Sequence, residues 1–480
     1  MDKGRKHLLS KNRSRFFTKK TLLIPTIFLL LALLPTTQVL AVSTSSSSTD
    51  SSSNYYVNPL NYFVAPTAAG LAAAEGMSNT CTTGSGLILH CYTPQLMQNA
   101  YNFTGAYGLL GGYANAGAGQ TIVIFDAYGS PSITSDLQTF DGTFNLPSAN
   151  LNIVCPQGCP VFNSSSSVEV SWALETTLDV EYSHAMAPAA TIILVVAQSS
   201  TQVDLYKAEQ SAFLGSFGNI WSQSFGTYGC TDASRLSKSA FMANEQLYQA
   251  AATASVTLIA SAGDYGAQDG CRTPSPAFPS VSPYVLAVGG THLNINGRGG
   301  YVSEKVWNDQ EDQFLTRQGA NLRLATGGAP LSDAYYPLPS YQSGISLTPV
   351  TCRARPSTCN QGTPFSPTGR TTADVSYNAD IDGGVLVYWS TVGAGFYIVG
   401  GTSAGSPQWA AVIALANQYH STSLGFVNPI LYSLAGTSAF HDVTNGTNSF
   451  EPGLGFAATA GYDAPTGLGS PNVGILIHNI

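Results

Sequence analysis

Residues 191 to 261 alternate between two patterns: Thr191-Ile-Ile-Leu-Val-Val196, a helical stretch from Val203 to Phe213, Asn219-Ile-Trp-Ser-Gln-Ser224, a second helical stretch from Ala233 to Ala252, and Val256-Thr-Leu-Ile-Ala-Ser261. The strand-like runs are continuously apolar rather than alternating, so both faces of the sheet they form must be covered. An earlier run, Thr121-Ile-Val-Ile-Phe-Asp126, extends the series upstream. The pattern predicts an α/β fold with a doubly wound, mainly parallel sheet and helices on both faces. Ligands of such sheets bind beyond the carboxyl ends of the strands, so the chemistry belongs in the loops that follow these runs.

Working outward, the chain has no low-complexity break from about Cys91 to Ile480, which reads as one domain over 91–480. Upstream, residues 1–41 read as an export signal: a basic stretch ending at Lys20, an apolar stretch Leu22 to Leu34, and small residues Val39-Leu-Ala41 before a cut. An uncleaved N-terminal anchor is the other reading of this stretch. Residues 42–90 begin with Ser43-Thr-Ser-Ser-Ser-Ser-Thr-Asp-Ser-Ser-Ser53, a tract that buries nothing and suits a tether, followed by a short intermediate segment.

Only 10% of the 480 residues are charged. Eight of the 19 Lys+Arg fall in the first 20 residues, so residues 42–480 carry 11 cations against 26 carboxylates, a formal charge of −15. That excludes a basic face for nucleic acid. A low cation count also limits self-repulsion in acid, once carboxylates are protonated, and this points to an acidic habitat. The eight cysteines fall as neighbouring pairs, Cys81 with Cys91, Cys155 with Cys159, Cys230 with Cys271 and Cys352 with Cys359, which suits disulfides in a secreted, extracellular protein. Sequons stand at Asn102, Asn163 and Asn445.

Three places hold residues fit for chemistry. Gly400-Gly-Thr-Ser403-Ala-Gly-Ser-Pro407 joins the apolar run ending at Val399 to an apolar helix from Gln408. A serine there sits at a helix N-terminus, where free amides face a developing anion; read alone, it is a nucleophile or a plain helix cap. Glu175 and Asp179, within Ser171-Trp-Ala-Leu-Glu175-Thr-Thr-Leu-Asp179, lie one helical turn apart. Their Cβ atoms would be about 5–6 Å apart. With Leu174, Leu178, Tyr182 and Ala185 nearby, the helix reads as amphipathic and inward-facing, and two buried carboxyls would share a proton; a solvated acidic face is the alternative. Asp264, in Ser261-Ala-Gly-Asp264-Tyr-Gly266, follows a strand end directly and is otherwise an ordinary turn residue.

In that order, together with Thr93-Pro-Gln-Leu-Met-Gln-Asn-Ala-Tyr101, Ser222-Gln-Ser-Phe-Gly226, Arg370-Thr-Thr-Ala-Asp-Val-Ser376 and the stretch from His441-Asp-Val-Thr to Thr466-Gly-Leu-Gly-Ser-Pro471, these motifs resemble the sedolisin family of serine-carboxyl peptidases, over nearly all of residues 92 to 475. The resemblance implies a subtilisin-like fold and a secreted, acid-acting endopeptidase, monomeric, with polypeptide substrates. It implies Ser403 as nucleophile, Glu175 as its base, Asp179 as the partner that orients Glu175, and Asp264 in the oxyanion hole. A carboxyl base still works in acid, where histidine is protonated. The resemblance also implies one structural Ca²⁺ held by the side chains of Asp442 and Asp463 and the carbonyls of Val443, Thr459 and Gly461, and a substrate-binding edge at Ser222, Ser224 and Gly226. If the strands before Cys230 and Cys271 are neighbours, a 230–271 disulfide would brace the cleft rim. The family's long propeptide has no counterpart here; only residues 42 to about 90 stand in its place. A non-catalytic cell-surface or binding protein on the same fold is the alternative function, and a glycosidase would need its two acids on opposite cleft walls.

Overall fold

The computed structural model describes residues 56–60, 62–64, 79–227, 238–269, 271, 273–318, 323–331, 336–353, 355–450 and 453–480. The export-signal reading and the polar tract lie outside the described residues. Eight strands form the central sheet: β1 (Thr121–Ala127), β2 (Asn150–Val154), β3 (Thr191–Ala197), β4 (Ile220–Gln223), β5 (Thr257–Ser261), β6 (Val285–Ile295), β7 (Tyr301–Val306) and β8 (Val375–Asn378). Their order is β7-β6-β5-β4-β1-β3-β2, with β8 also paired to β6. All pairings are parallel except that of β7 with β6.

The continuous apolar runs have the predicted cause. Along β1, Ile122 and Ile124 join one core cluster while Val123, Phe125 and Ala127 join another; along β3, Ile192 and Leu194 split from Val195 and Ala197 in the same way. Each face carries helices. The five that matter are α1 (Ile133–Phe144), α2 (Ser167–Met186), α3 (Gln202–Gly215), α4 (Lys238–Thr253) and α5 (Gly405–His420). Leu174, Leu178 and Tyr182 of α2 pack in one cluster with Trp409, Val412 and Ile413 of α5. On the other face Leu205 and Ala208 of α3 meet Leu247, Tyr248 and Ala251 of α4. Burying such a Leu, Val or Ile contributes about 1.5–3 kcal/mol each.

One expectation needs correction. The helix bearing Glu175 and Asp179 is not amphipathic: every residue from Trp172 to Met186 is buried. It is wrapped by β1, β3, α1, α5 and the strand Gly384–Trp389, so no side is left for solvent.

A second sheet runs in the order Tyr62–Val64, Gly395–Gly400, Gly384–Trp389, Ile88–Tyr92, Thr80–Thr82. Its strand Gly395–Gly400 leads directly to Ser403. The short strand Asn58–Pro59 pairs antiparallel with Phe225–Gly226. Disulfides join Cys81–Cys91, Cys155–Cys159 and Cys352–Cys359, as the spacing suggested. Cys271 is also disulfide-bonded, and its expected partner Cys230 lies outside the described residues. The strands before them, β4 and β5, are neighbours. Asn163 and Asn445 are exposed, whereas the Asn102 amide donates to Asn472 Oδ1 at 2.7 Å. Among the described residues no helix is long and apolar enough to cross a membrane.

Candidate active site

Ser403 lies in a single turn of 3-10 helix, Thr402–Ala404, between the strand Gly395–Gly400 and α5. Two glycines shape this turn. Gly401 has φ 109°, a region that side chains disfavour, and a Cβ on Gly400 would sit 2.7 Å from the Ala379 carbonyl. Ser403 does not cap α5: Ala404 holds that position, and no side chain caps the helix. The Ser403 hydroxyl is fully buried and donates to the Ser224 carbonyl at 3.1 Å.

The helix α2 packs against both this turn and α5. Glu175 and Asp179 are both fully buried, which removes the solvated-face reading. Burial pushes the Asp179 carboxyl well above the usual carboxylate range, and the charges of Glu175 and then Asp126 push it further. Asp126, at the carboxyl end of β1, was not singled out as a site residue. Burial raises its own pKa to about 7. The Thr176 side chain acts on Asp126 and the Ser224 side chain on Asp179, each opposing the rise, but no well-formed hydrogen bond satisfies either carboxyl. A bare buried carboxylate costs several kcal/mol, so protons held among the three acids are the stable arrangement. The signal for Asp126 was present, an acid ending a wholly apolar strand at the sheet's functional edge, but nothing in one sequence shows that β1 ends beside α2.

Asp264 follows β5, the neighbour of β4, after Ala262 and Gly263. Its Oδ1 accepts from the Thr402 N–H at 2.9 Å and the Thr402 hydroxyl at 2.7 Å. The Thr402 Oγ1 in turn accepts from Gly263 N–H at 3.2 Å. Thr402 therefore ties the acid loop to the serine turn. Burial raises the Asp264 pKa to about 7, against the opposing pull of the two Thr402 donors. Histidines are engaged elsewhere: His184 at the Pro147 carbonyl, His292 at Asp380 and His420 at the Ile477 carbonyl.

At the edge expected to bind substrate, the three residues differ. The Ser222 hydroxyl meets Ser406 Oγ of α5 at 3.0 Å, beneath the sheet edge. The backbone of Ser224 and Gly226 instead faces the segment 58–60.

The segments expected to hold Ca²⁺ also come together. Gly461 N–H donates to Asp442 Oδ2 at 3.0 Å, and Thr459 N–H donates to Asp463 Oδ2 at 3.1 Å. Asp463 is buried and no Lys or Arg is among the groups acting on it, so the donor set, two carboxylates and turn carbonyls, fits a hard cation. Elsewhere, ligand atoms of His292, Asp312 and Asp382 lie within 4.8 Å of one another, a group not marked out in the sequence.

Residues 162–437 match the Subtilase family. The chain belongs to the subtilase family. Within it the likeness is to the sedolisins. The chain is 31% identical over 388 residues to kumamolisin of Bacillus sp. (strain MN-32), covering 79% of this chain and 62% of that protein. It is 28% identical over 372 residues to sedolisin of Pseudomonas sp. (strain 101), covering 75% and 57%. The solved structure of Pseudomonas sedolisin, a serine-carboxyl proteinase complexed with two molecules of pseudo-iodotyrostatin, superposes with a TM-score of 0.63 at 27% identity, over 81% of this chain and 98% of that one. The chain thus spans about three fifths of the length of these curated relatives.

Proposed function

We propose that this subtilase is a secreted serine-carboxyl endopeptidase that works in acid through an acyl-enzyme on Ser403. The observation that carries the reading is the convergence of three elements at one sheet edge: the Ser403 turn, the buried carboxyls of α2, and Asp264 pinned to that turn by Thr402. Glu175, oriented by Asp179, takes the Ser403 proton; burial and the neighbouring Glu175 charge keep a proton on Asp179, so the pair shares one proton and leaves Glu175 as the base. Asp264, with a pKa of about 7, is a neutral acid below that pH and donates its proton to the developing oxyanion beside the Ser403 amide. Kumamolisin and sedolisin relatives support peptidase chemistry on this fold.

Residues 1–41 are the proposed export signal, 42–90 the tether and short pro-segment, and 91–480 the peptidase domain, acting as a monomer on polypeptides. One Ca²⁺, bound by Asp442 and Asp463 with the carbonyls of Val443, Thr459 and Gly461, would neutralise the paired acids and lock the two loops; it takes no part in the reaction.

Digestion of a denatured protein from pH 2 to 8 tests the reading. The wild type should cleave in acid, and Ser403→Ala, Glu175→Gln and Asp179→Asn should each fall by about 10³-fold or more while the fold survives by circular dichroism. Full activity in any of the three removes the triad; no wild-type cleavage anywhere favours a binding protein on the same fold.

A further inference from the structure

Away from the Ser403 turn, segments remote in sequence bring imidazoles and carboxyls together inside the fold. His292 lies on β6 and Lys305 on β7, Asp312 opens the short helix Gln313–Arg317, Asp380 and Asp382 stand in the loop after β8, and His90 lies on the strand Ile88–Tyr92. The side chains of Asp312, Asp380 and Asp382 are 2%, 0% and 1% exposed. His292 Nδ1 is 2.8 Å from Asp380 Oδ2 and 3.5 Å from Asp312 Oδ2. Asp382 Oδ1 accepts from the His90 N–H at 2.7 Å and faces His90 Nδ1 at 2.9 Å, while Asp382 Oδ2 meets no donor among the described residues. One ligand atom each from His292, Asp312 and Asp382 falls within 4.8 Å of the others.

Charge shows what the cluster lacks. Lys305 Nζ, 3.4 Å from Asp312 Oδ2, is the only Lys or Arg paired with these three carboxyls among the described residues. Three buried carboxylates against one ammonium leave an excess of negative charge in the interior, which a divalent cation would cancel. The donors select the kind of cation. An imidazole nitrogen beside carboxylate oxygens suits a first-row transition ion, whereas Ca²⁺ takes oxygen alone. Ligands bound at about 2.0–2.2 Å stand up to about 4.4 Å apart, so a small side-chain movement closes this set. An outer shell is also in place, with Asp380 holding the His292 ring and His90 holding Asp382. His90, with its side chain 34% exposed, marks an entry path from solvent.

We propose that His292, Asp312 and Asp382 bind one first-row divalent cation, such as Zn²⁺, at a site separate from the Asp442 and Asp463 segments, and that the ion clamps the loop on which the Ser403 turn rests. The Ala379 carbonyl at the start of that loop accepts from the Gly401 N–H at 2.7 Å, and at its end Gly383 N–H donates to the His90 carbonyl at 2.9 Å. An ion that ties Asp382 to β6 and to the cap of the short helix fixes the loop between these two bonds. Lys305 is the ion's rival: its ammonium, 25% exposed, holds Asp312 from the solvent side and swings out when the ion enters. The role is structural and independent of the peptidase reading.

The test uses the full chain at pH 7, freed of zinc and kept in excess Ca²⁺ so that the other site is filled, with Zn²⁺ titrated by calorimetry and thermal unfolding followed alongside. The wild type should take up one Zn²⁺ that Ca²⁺ does not displace, and its melting temperature should rise with Zn²⁺ concentration. Asp312→Asn still caps its helix, so the fold survives; it should weaken Zn²⁺ binding about tenfold or more and remove most of the rise in melting temperature. Asp382→Asn should do the same, whereas Asp463→Asn should leave Zn²⁺ binding unchanged. Lys305→Gln should tighten binding, because it removes the competing charge. No Zn²⁺ uptake by the wild type overturns the site and leaves the cluster as an ion-pair network. Uptake that Asp312→Asn and Asp382→Asn leave unchanged places the ion on surface histidines and overturns it equally. Weaker binding by Lys305→Gln would show that the ammonium supports the cluster rather than competing for it, and overturns the assignment of Lys305 as rival.

Discussion

Asp264 shows how burial ties one side chain's contribution to pH. Its folded pKa of about 7 lies above the ordinary value of 3.8 because burial disfavours the charge. An acid raised in this way contributes its stability fully below the unfolded pKa, and loses it as pH climbs from about 4 through 7. Asp264→Asn keeps an oxygen for Thr402 and cannot ionise. Thermal unfolding of the variant should match the wild type at pH 3 and exceed it at pH 8, by an amount on the order of 4 kcal/mol for a shift of about three units. Activity should nevertheless fall about 10²–10³-fold at every pH if Asp264 is an oxyanion donor. Equal unfolding at both pH values would show that Asp264 is ionised in the fold.

At the scale of elements, the site depends on a turn and a helix meeting at fixed depth. Gly401 holds φ 109°, and a Cβ on its neighbour Gly400 would press against the Ala379 carbonyl, so the turn tolerates no side chain without moving Ser403. Gly401→Ala should cost about 1–3 kcal/mol in urea unfolding and, if Ser403 is the nucleophile, lower kcat more than it raises KM, because Ser403 shifts while the cleft walls stay. On α2, removal of Glu175 and Asp179 together should cost little more activity than removal of either alone if the pair acts as one proton-transfer unit. Additive losses from the double variant would separate their roles.

Across the whole molecule the buried acids share one tendency. Burial raises Asp126 and Glu245 to about 7 and Glu209 to about 8, in addition to Asp264. Each favours the folded state at low pH and withdraws that stability as pH rises from about 4 toward 8, so their effects add in one direction. With only 11 Lys+Arg and six histidines downstream of residue 41 to repel one another in acid, the melting temperature should be highest near pH 3–4 and fall by pH 8. A maximum at neutral pH with rapid unfolding at pH 3 would refute the acid habitat. Chelation of Ca²⁺ should lower the melting temperature of the wild type, and Asp463→Asn should remove that response.

The doubly wound sheet was legible because burial on both faces leaves a trace in one dimension: runs such as Thr191 to Val196 stay apolar at every position. Motif order and spacing likewise marked Ser403, Glu175, Asp179 and Asp264 as candidates, since each sits in a local pattern of turn or helix. Contacts between distant segments leave no such trace. That β1 ends beside α2 and brings in Asp126, that Thr402 clamps Asp264, and that α2 is enclosed on every side follow from strand order, which a local pattern does not encode. The strand at Asn58–Pro59 is the extreme case. Two residues carry no periodicity of their own, and only the free edges at Ser200 and Ser224 to Gly226, formed by the folded domain, draw Leu60 onto Ser403. Sequence alone determined which residues could do chemistry; tertiary structure decided which of them share a site and what lies across it, because burial and hydrogen bonding act between segments that are remote along the chain.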